Sequence, residues 1–362
     1  MGVVAEVRSQ AHAAWVSRSL WTLPALARTV ELPVAWWVRR DGRAPDPIVA
    51  CHYVTWACPE ACSFCNVTQA VETWTTPMPE ADMARMVEAL VPRIPIWAIG
   101  GGEPLAHPGI LEHYARIKHR GGRIYTATAA TVLGETKAKR MAEIGVDVVH
   151  VSLLGDEAAH DAQMGRAGAW QRTTAGLSHL LRHRDPARTR VIVNCPVGPD
   201  NAGSLQAVAR TCKELGVDAL RFTWLSFLTP SERAREAHPV TTHTLSLEVL
   251  AGFDPTPMLA EARRLESEHR GWLTFHPRLD EAERAGWFRE GGGVSRRCQA
   301  LWHTLFVRPD GSVVPCQHLF EEPVGDVRAQ PLDEVWNAPA LRRTRLEQRA
   351  EAFPICRRCC KV

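Results

Sequence analysis

The stretch Cys51–Asn66 reads CHYVTWACPEACSFCN and sets three cysteines, Cys58, Cys62 and Cys65, in the spacing C-x3-C-x2-C. Structural zinc sites and ordinary iron–sulfur sites take four protein ligands. This loop stops one short. Thiolates are soft ligands, suited to iron–sulfur, zinc or copper(I). Three of them on a short loop can hold three irons of a cubane [4Fe–4S] cluster. The fourth iron is then left open to a substrate.

The residues around the loop repeat a strand–helix pattern. Apolar, β-branched runs lie at 46–56, 94–101, 122–130, 146–155, 189–197 and 218–228, and amphipathic stretches separate them. Such a repeat implies a parallel sheet with right-handed crossovers, as a partial barrel or an open doubly wound sheet. The cysteine loop follows the first run directly, at the strand end where α/β barrels build active sites. The second run ends in Gly100-Gly101-Gly102-Glu103-Pro104. Glycines admit a close backbone approach, and Glu103 offers an acceptor to a cationic group. Period-two geometry sends one polar set into a lumen: Thr126 with Thr128, His150 with Ser152, Asn194, and Arg221 with Thr223. His150, Asn194 and Arg221 are the candidates for contact with a substrate. Cys195 has the opposite parity to Asn194 and is expected to face the helices.

Composition narrows the function classes. The chain has 362 residues, 45% hydrophobic and 23% charged, as expected of a soluble globular protein with one or two domains. A net charge of +3 argues for no polyanionic partner. No K/R block, RNP motif or zinc-finger helix is present, so nucleic-acid binding is not expected. No window approaches the roughly 18 apolar residues of a membrane span. The first 30 residues lack a signal-peptide core, so a cytoplasmic location is expected. Eleven cysteines are many, and they cluster: three at 58–65 and five after residue 297. Disulfide scaffolds are short secreted chains; clustered cysteines in a long chain point to metal.

The end of the chain has its own pattern. Residues 229–295 read as a helical linker, with EGGG at 290–293 as a flexible joint. Asp310-Gly311 sits between two short apolar runs, a hairpin signal that brings Cys298 and Cys316 together. Cys356 and Cys359 add two thiolates on one turn, with Cys360 a rival of Cys359 for the fourth place. Four thiolates complete a site for zinc or for a fully ligated [4Fe–4S] cluster. Cys51, Cys195 and Cys212, and the tryptophans Trp36, Trp37, Trp56, Trp97 and Trp224, fit core packing. The first 45 residues fit a helical lid, a membrane-surface patch or plain packing.

Taken together, the C-x3-C-x2-C loop with Phe64, the GGEP and the six βα units resemble the radical S-adenosylmethionine (radical SAM) family over residues 48–228. The resemblance implies a partial (β/α)6 TIM-like barrel. It also implies that the amino and carboxylate groups of S-adenosylmethionine chelate the open iron, so the cosubstrate supplies the fourth ligand. Reductive cleavage to a 5′-deoxyadenosyl radical would follow, then abstraction of a substrate hydrogen atom. At matching positions, Gly101, Gly102 and Glu103 would contact the methionyl amino group. Phe64 would lie beside the adenine, Ser152 near the ribose or methionyl end, and Arg166 would pair with the carboxylate. Thr126 joins these cofactor-binding candidates. The tail, with VGDV at 324–327 and PLDEVWN at 331–337, resembles the SPASM extension of the family in its shortened, twitch-like form. That implies one auxiliary [4Fe–4S] cluster on Cys298, Cys316, Cys356 and Cys359. Four segments are expected: an N-terminal helical extension (1–47), the core (48–228), the helical linker (229–295) and an iron–sulfur domain of β-hairpin and helix (296–362). The expected activity is net oxidation of a small natural-product intermediate such as a sugar or cyclitol, with flavodoxin or ferredoxin as electron donor. The alternatives are maturation of a precursor peptide, by cross-linking or epimerisation, and a non-catalytic metal-binding scaffold.

Overall fold

Apolar strands separated by amphipathic helices bury both their faces when the strands pair in parallel and the helices cover one side. The chain takes this arrangement in a computed structural model, which describes residues 18–20, 22–65, 67 and 76–361. The six expected strands form at β1 (Val49–Thr55), β2 (Ile96–Gly101), β3 (Arg123–Thr128), β4 (Val148–Ser152), β5 (Arg190–Val197) and β6 (Ala219–Trp224). Four more follow: β7 (Leu273–His276), β8 (Thr304–Val307), β9 (Ser312–Val314) and β10 (Gly325–Asp326). All ten make one open sheet in the order β10-β9-β8-β1-β2-β3-β4-β5-β6-β7. Strands β8 through β7 in that order are parallel, whereas β9 and β10 run antiparallel. The six-stranded unit is thus extended on both flanks. The segment expected as an all-helical linker supplies β7, and the tail supplies β8.

Helices α1 (Leu23–Val38), α2 (Glu80–Leu90), α3 (Ile110–His119), α4 (Glu135–Ile144), α5 (Glu157–Met164), α6 (Ala169–His183) and α7 (Leu205–Leu215) precede β6. Helix α4 ends at Gly145 (φ 72°) and α7 at Gly216 (φ 75°), each in the left-handed conformation that glycine favours. Beyond β6, α8 (Pro230–Arg235) starts at a Thr229–Glu232 capping box.

Burial alternates along the strands. In β3, Ile124, Thr126 and Thr128 are buried, and Arg123, Tyr125 and Ala127 are half-buried. In β6, Phe222 and Trp224 are buried, and Arg221 and Thr223 are half-buried. The fully buried set packs under the helices. The half-buried set faces a hollow on the concave side of the curved sheet. One expectation is corrected here. Thr126 points to the helix layer, where its Oγ1 and the Tyr114 hydroxyl share a 2.7 Å hydrogen bond. Thr128 shares that face. The inward residues of β3 are Tyr125 and Ala127.

The tail is tied to the barrel by buried cations. Arg358 and Glu232 form an ion pair in which both side chains are wholly buried. Arg358 also donates to the Trp287 carbonyl at 2.7 Å and lies 4.6 Å from the Phe227 ring centroid. Arg345, also wholly buried, donates to the carbonyls of Leu301, Gly42 and Trp336. The expected flexible joint at 290–293 is a packed contact. A Cβ on Gly293 would sit 2.6 Å from the Arg357 carbonyl oxygen, and Val294 N–H donates to that oxygen at 2.8 Å. Of the N-terminal extension, residues 1–17 and Trp21 lie outside the described residues. Helix α1 buries Ala25, Leu32, Ala35 and Trp36, with Trp36 edge-on to Trp302, and leaves Leu23, Val30 and Trp37 exposed.

Removing one partner of a buried ion pair leaves an unpaired charge in the core, at a cost of about 3–5 kcal/mol. Arg358→Met is therefore expected to lower the urea midpoint of unfolding, and Arg358→Met with Glu232→Leu to recover part of the loss. An unchanged midpoint in the single variant would contradict this account of the tail.

Candidate active site

The cysteine loop leaves β1 at its C-terminal end and at once crosses the end of β2. Gly102 N–H donates to the Thr55 carbonyl at 2.7 Å, and Glu103 N–H to the Ala57 carbonyl at 2.9 Å. The crossing is so close that only glycine fits. A Cβ on Gly101 would lie 2.3 Å from the Thr55 carbonyl oxygen, and one on Gly102 2.4 Å from that of Ala57. The glycines make room for the strand that delivers the cysteines. Glu103 is buried. Its carboxylate accepts from Leu105 N–H (2.9 Å), the Thr128 hydroxyl (2.7 Å) and Ala129 N–H (2.7 Å). It thereby fastens the end of β2 to the end of β3. Burial raises its pKa, and these hydrogen bonds oppose the rise.

The far side of the loop rests on α5. Ala61 N–H donates to the Met164 carbonyl (3.0 Å) and Ser63 N–H to that of Gln163 (3.1 Å), and Cys62 Sγ lies 3.5 Å from Met164 Sδ. Arg166 donates to the Pro59 carbonyl at 3.1 Å and stands 3.6 Å from the buried Glu60 carboxylate. It sits beside the loop. Phe64 packs with Leu154, Met164 and Ala169. Ser152 ends β4 with its side chain half-buried.

The donor set, three thiols on one loop, suits a metal group. Burial, and then the charges of neighbouring groups, push Cys58 up to about 11 and Cys62 up to about 12, and each feels the charge of Cys65. Thiols on one partly open loop need a cation to be ionised together. Cys58, Cys62 and Cys65 would hold a cluster at this end of the barrel.

Below the loop lies the lumen. Its wall is drawn from the inward residues of several strands: Cys51 and Tyr53 of β1, Tyr125 of β3, His150 of β4, Asn194 of β5, Arg221 and Thr223 of β6, and His276 of β7. The Tyr125 hydroxyl lies 3.4 Å from His150 Nδ1, and the Thr223 hydroxyl donates to Asn194 Oδ1 at 2.7 Å. Burial, then the charges of Arg221, Lys361 and His276, hold the His150 pKa well below its ordinary value. His276 is lowered to about 3, again chiefly by burial. Both imidazoles are therefore neutral near pH 7. Cys195 faces the helices, as its parity requires, and is buried.

The tail thiols meet this lumen. Gly311 (φ 88°) turns the β8–β9 hairpin, which leads directly to Cys316. Cys298, Cys316 and Cys359 feel one another's charge or that of Cys356 or Cys360, and burial raises Cys298 to about 11 and Cys316 to about 12. Cys359 and Cys360 share a hydrogen bond that raises Cys359 and lowers Cys360. Gln317 Nε2 lies 3.6 Å from Cys359 Sγ and 3.4 Å from Cys360 Sγ. Cys298, Cys316, Cys356 and Cys359 would supply the thiolates of a second cluster. Cys65 and Cys316 both border one apolar cluster of Trp56, Val67, Phe306, Val314 and Phe320, with Tyr53 at its edge. An aromatic wall therefore links the two thiol sets. Sequence reasoning missed Tyr125 and His276 as lumen groups, although the alternation in 273–276 carried a signal for His276.

The comparisons agree with this layout. A model of the radical SAM superfamily matches residues 53–219, and one of the SPASM iron–sulfur cluster-binding domain matches 298–360. The chain is 28% identical over 265 residues to an AdoMet-dependent heme synthase of Methanosarcina barkeri, covering 69% of this chain and 71% of the relative. It is 27% identical over 313 residues to one of Nitratidesulfovibrio vulgaris, covering 82% and 80%. Streptococcus suis SuiB shares the fold, with a TM-score of 0.60 at 15% identity over 80% of this chain and 65% of that one.

The glycine crossing yields a prediction. Gly102→Ala drives a methyl into the Ala57 and Trp56 carbonyls, so the reconstituted variant is expected to lose about four irons per chain. Gly203→Ala, at a position open to at least 4 Å, is expected to keep full iron. Full iron in the Gly102 variant would show that the crossing does not hold the loop.

Proposed function

Since the chain belongs to the radical SAM superfamily and carries a SPASM-type iron–sulfur domain, we propose that it is a radical SAM enzyme that oxidises a small polar molecule by two electrons. The observation that carries this reading is the position of the lumen. It lies below the Cys58–Cys65 loop and opens onto the tail thiols, so a substrate held there adjoins both metal-binding sets. A fully ligated auxiliary cluster suits electron transfer, and a site beside the substrate suits uptake of the second electron. The two heme synthases, which by name make a small molecule with AdoMet, support a small-molecule substrate over a precursor peptide.

Cys58, Cys62 and Cys65 would hold the first cluster, and Cys298, Cys316, Cys356 and Cys359 the second, with Cys360 beside it. S-adenosylmethionine, when bound, would supply hydrogen-atom-abstraction chemistry at the lumen. The chain's own residues bind, orient and enclose. Gly102 and Glu103 fix the loop height above the lumen. His150, kept neutral, presents a hydrogen-bonding nitrogen to a substrate hydroxyl. Asn194 and Thr223, already bonded to each other, offer a second polar contact. The helix layer and the aromatic wall exclude water, which protects a reactive radical from side reactions.

Anaerobic reconstitution with S-adenosylmethionine and dithionite tests the reading. The wild-type chain is expected to release 5′-deoxyadenosine and to carry about eight irons, four per cluster. Cys58→Ala, Cys62→Ala and Cys65→Ala are each expected to reduce release to background. Undiminished release in these variants would overturn the proposal. About four irons in the wild type would remove the auxiliary cluster, and with it the argument for oxidation.

A further inference from the structure

The tail thiols are met by N–H donors. Cys298 Sγ accepts from Ala300 N–H at 3.3 Å, Cys316 Sγ from His318 N–H at 3.4 Å, and Cys359 Sγ from Lys361 N–H at 3.4 Å. Each donor stands two residues after its cysteine, so the backbone curls around the sulfur in the same way three times. The repeat groups Cys359 with Cys298 and Cys316.

One side chain joins these donors. Gln317 Nε2 lies 3.4 Å from Cys360 Sγ, 3.6 Å from Cys359 Sγ and 3.3 Å from His318 Nε2. An amide nitrogen only donates, and it carries two protons. One proton serves the imidazole and the other faces the sulfurs. His318 is buried, so the ring that orients the amide is itself held in place. Gln317 directly follows Cys316, and one turn therefore delivers both a thiol and a donor. The 58–65 loop gives Cys62 a different neighbour, the Met164 thioether at 3.5 Å.

Reduction adds negative charge to an iron–sulfur cluster. An N–H aimed at a ligand sulfur stabilises that charge and so raises the reduction potential. We propose that Gln317, oriented by His318, is a positioning residue of the auxiliary cluster: its amide hydrogen-bonds to the thiolate of Cys359 and raises the potential at which the cluster takes an electron. The proposal rests on the two-electron reading above and deepens it. Once a hydrogen atom has left the substrate, one further electron must go. It passes to the auxiliary cluster, the accompanying proton passes to solvent, and a one-electron carrier protein reoxidises the cluster. The rival role for Gln317 is to pack the turn.

The test is a redox titration of the full-length holoenzyme, followed by electron paramagnetic resonance. A full-length chain with Cys58, Cys62 and Cys65 all replaced by alanine supplies the auxiliary signal alone and assigns it. Gln317→Leu is expected to lower the auxiliary midpoint. At the wild-type midpoint its ratio of reduced to oxidised cluster should fall about tenfold, or about 59 mV for one electron. The midpoint of the other cluster is expected to stay where it is. Gln317→Glu has the same size and no N–H; it is expected to lower the auxiliary midpoint at least as far, and it decides the matter if the leucine variant loses iron. His318→Phe keeps the donor without its orientation and is expected to give a smaller shift in the same direction. Iron is counted on every sample. An auxiliary midpoint equal to wild type in an iron-replete Gln317 variant would overturn the proposal. Loss of the auxiliary iron from both Gln317 variants would assign the side chain to packing and also overturn it. Release of 5′-deoxyadenosine by the wild-type chain is read separately, so failure of the functional reading is distinguishable from failure of the Gln317 assignment.

Discussion

The close crossing of two backbones, Thr55–Ala57 over Gly101–Gly102, is the constraint on which the site depends. Strand β1 ends where its chain must pass β2 to place three cysteines above the barrel. Two inter-segment hydrogen bonds, at 2.7 and 2.9 Å, hold the crossing. Any side chain at either glycine would separate them. Glu103 then carries the constraint on to β3 through Thr128 and Ala129. The loop is therefore anchored on three strand ends and, by Ala61 and Ser63, on α5. A metal group assembled on such a support keeps a fixed height over the lumen, as hydrogen-atom chemistry requires.

The second organising contact lies in the tail. A wholly buried arginine is costly unless every donor is used. Each of the three Arg358 guanidinium nitrogens has such a partner: the Trp287 carbonyl, the Glu232 carboxylate and the Arg289 carbonyl. Because β8 pairs with β1, the tail domain shares the sheet of the barrel. Tyr53, Trp56 and Phe320 pack together in the apolar cluster that Cys65 and Cys316 both border. One sheet thus carries both cysteine-bearing regions.

Much of this was legible in the sequence. Strand positions followed from apolar runs and glycine stops, and the loop chemistry followed from thiolate count and spacing. The hairpin followed from Asp310-Gly311. The inward face of β3 was not legible, because Ile124-Tyr125-Thr126 mixes polar and apolar residues in both phases of the alternation. Thr126 looked like a lumen group, yet its hydroxyl is satisfied by Tyr114 on the helix side. Strand β7 was hidden by its length, four residues between helical stretches. The EGGG composition of 290–293 suggested freedom, whereas Gly293 is held against Arg357 by tertiary packing, which local sequence does not encode. Glu290 itself accepts from Thr229.

The central claim is that three protein thiolates leave one iron to S-adenosylmethionine. Electron–nuclear double resonance of the dithionite-reduced chain, with the cosubstrate labelled at its methionyl amino nitrogen and carboxylate oxygen, measures this directly. The account predicts that both labels couple to the cluster spin, and that the coupling disappears in Cys62→Ala. A reduced, fully reconstituted wild-type cluster that shows no coupling to either label would contradict it.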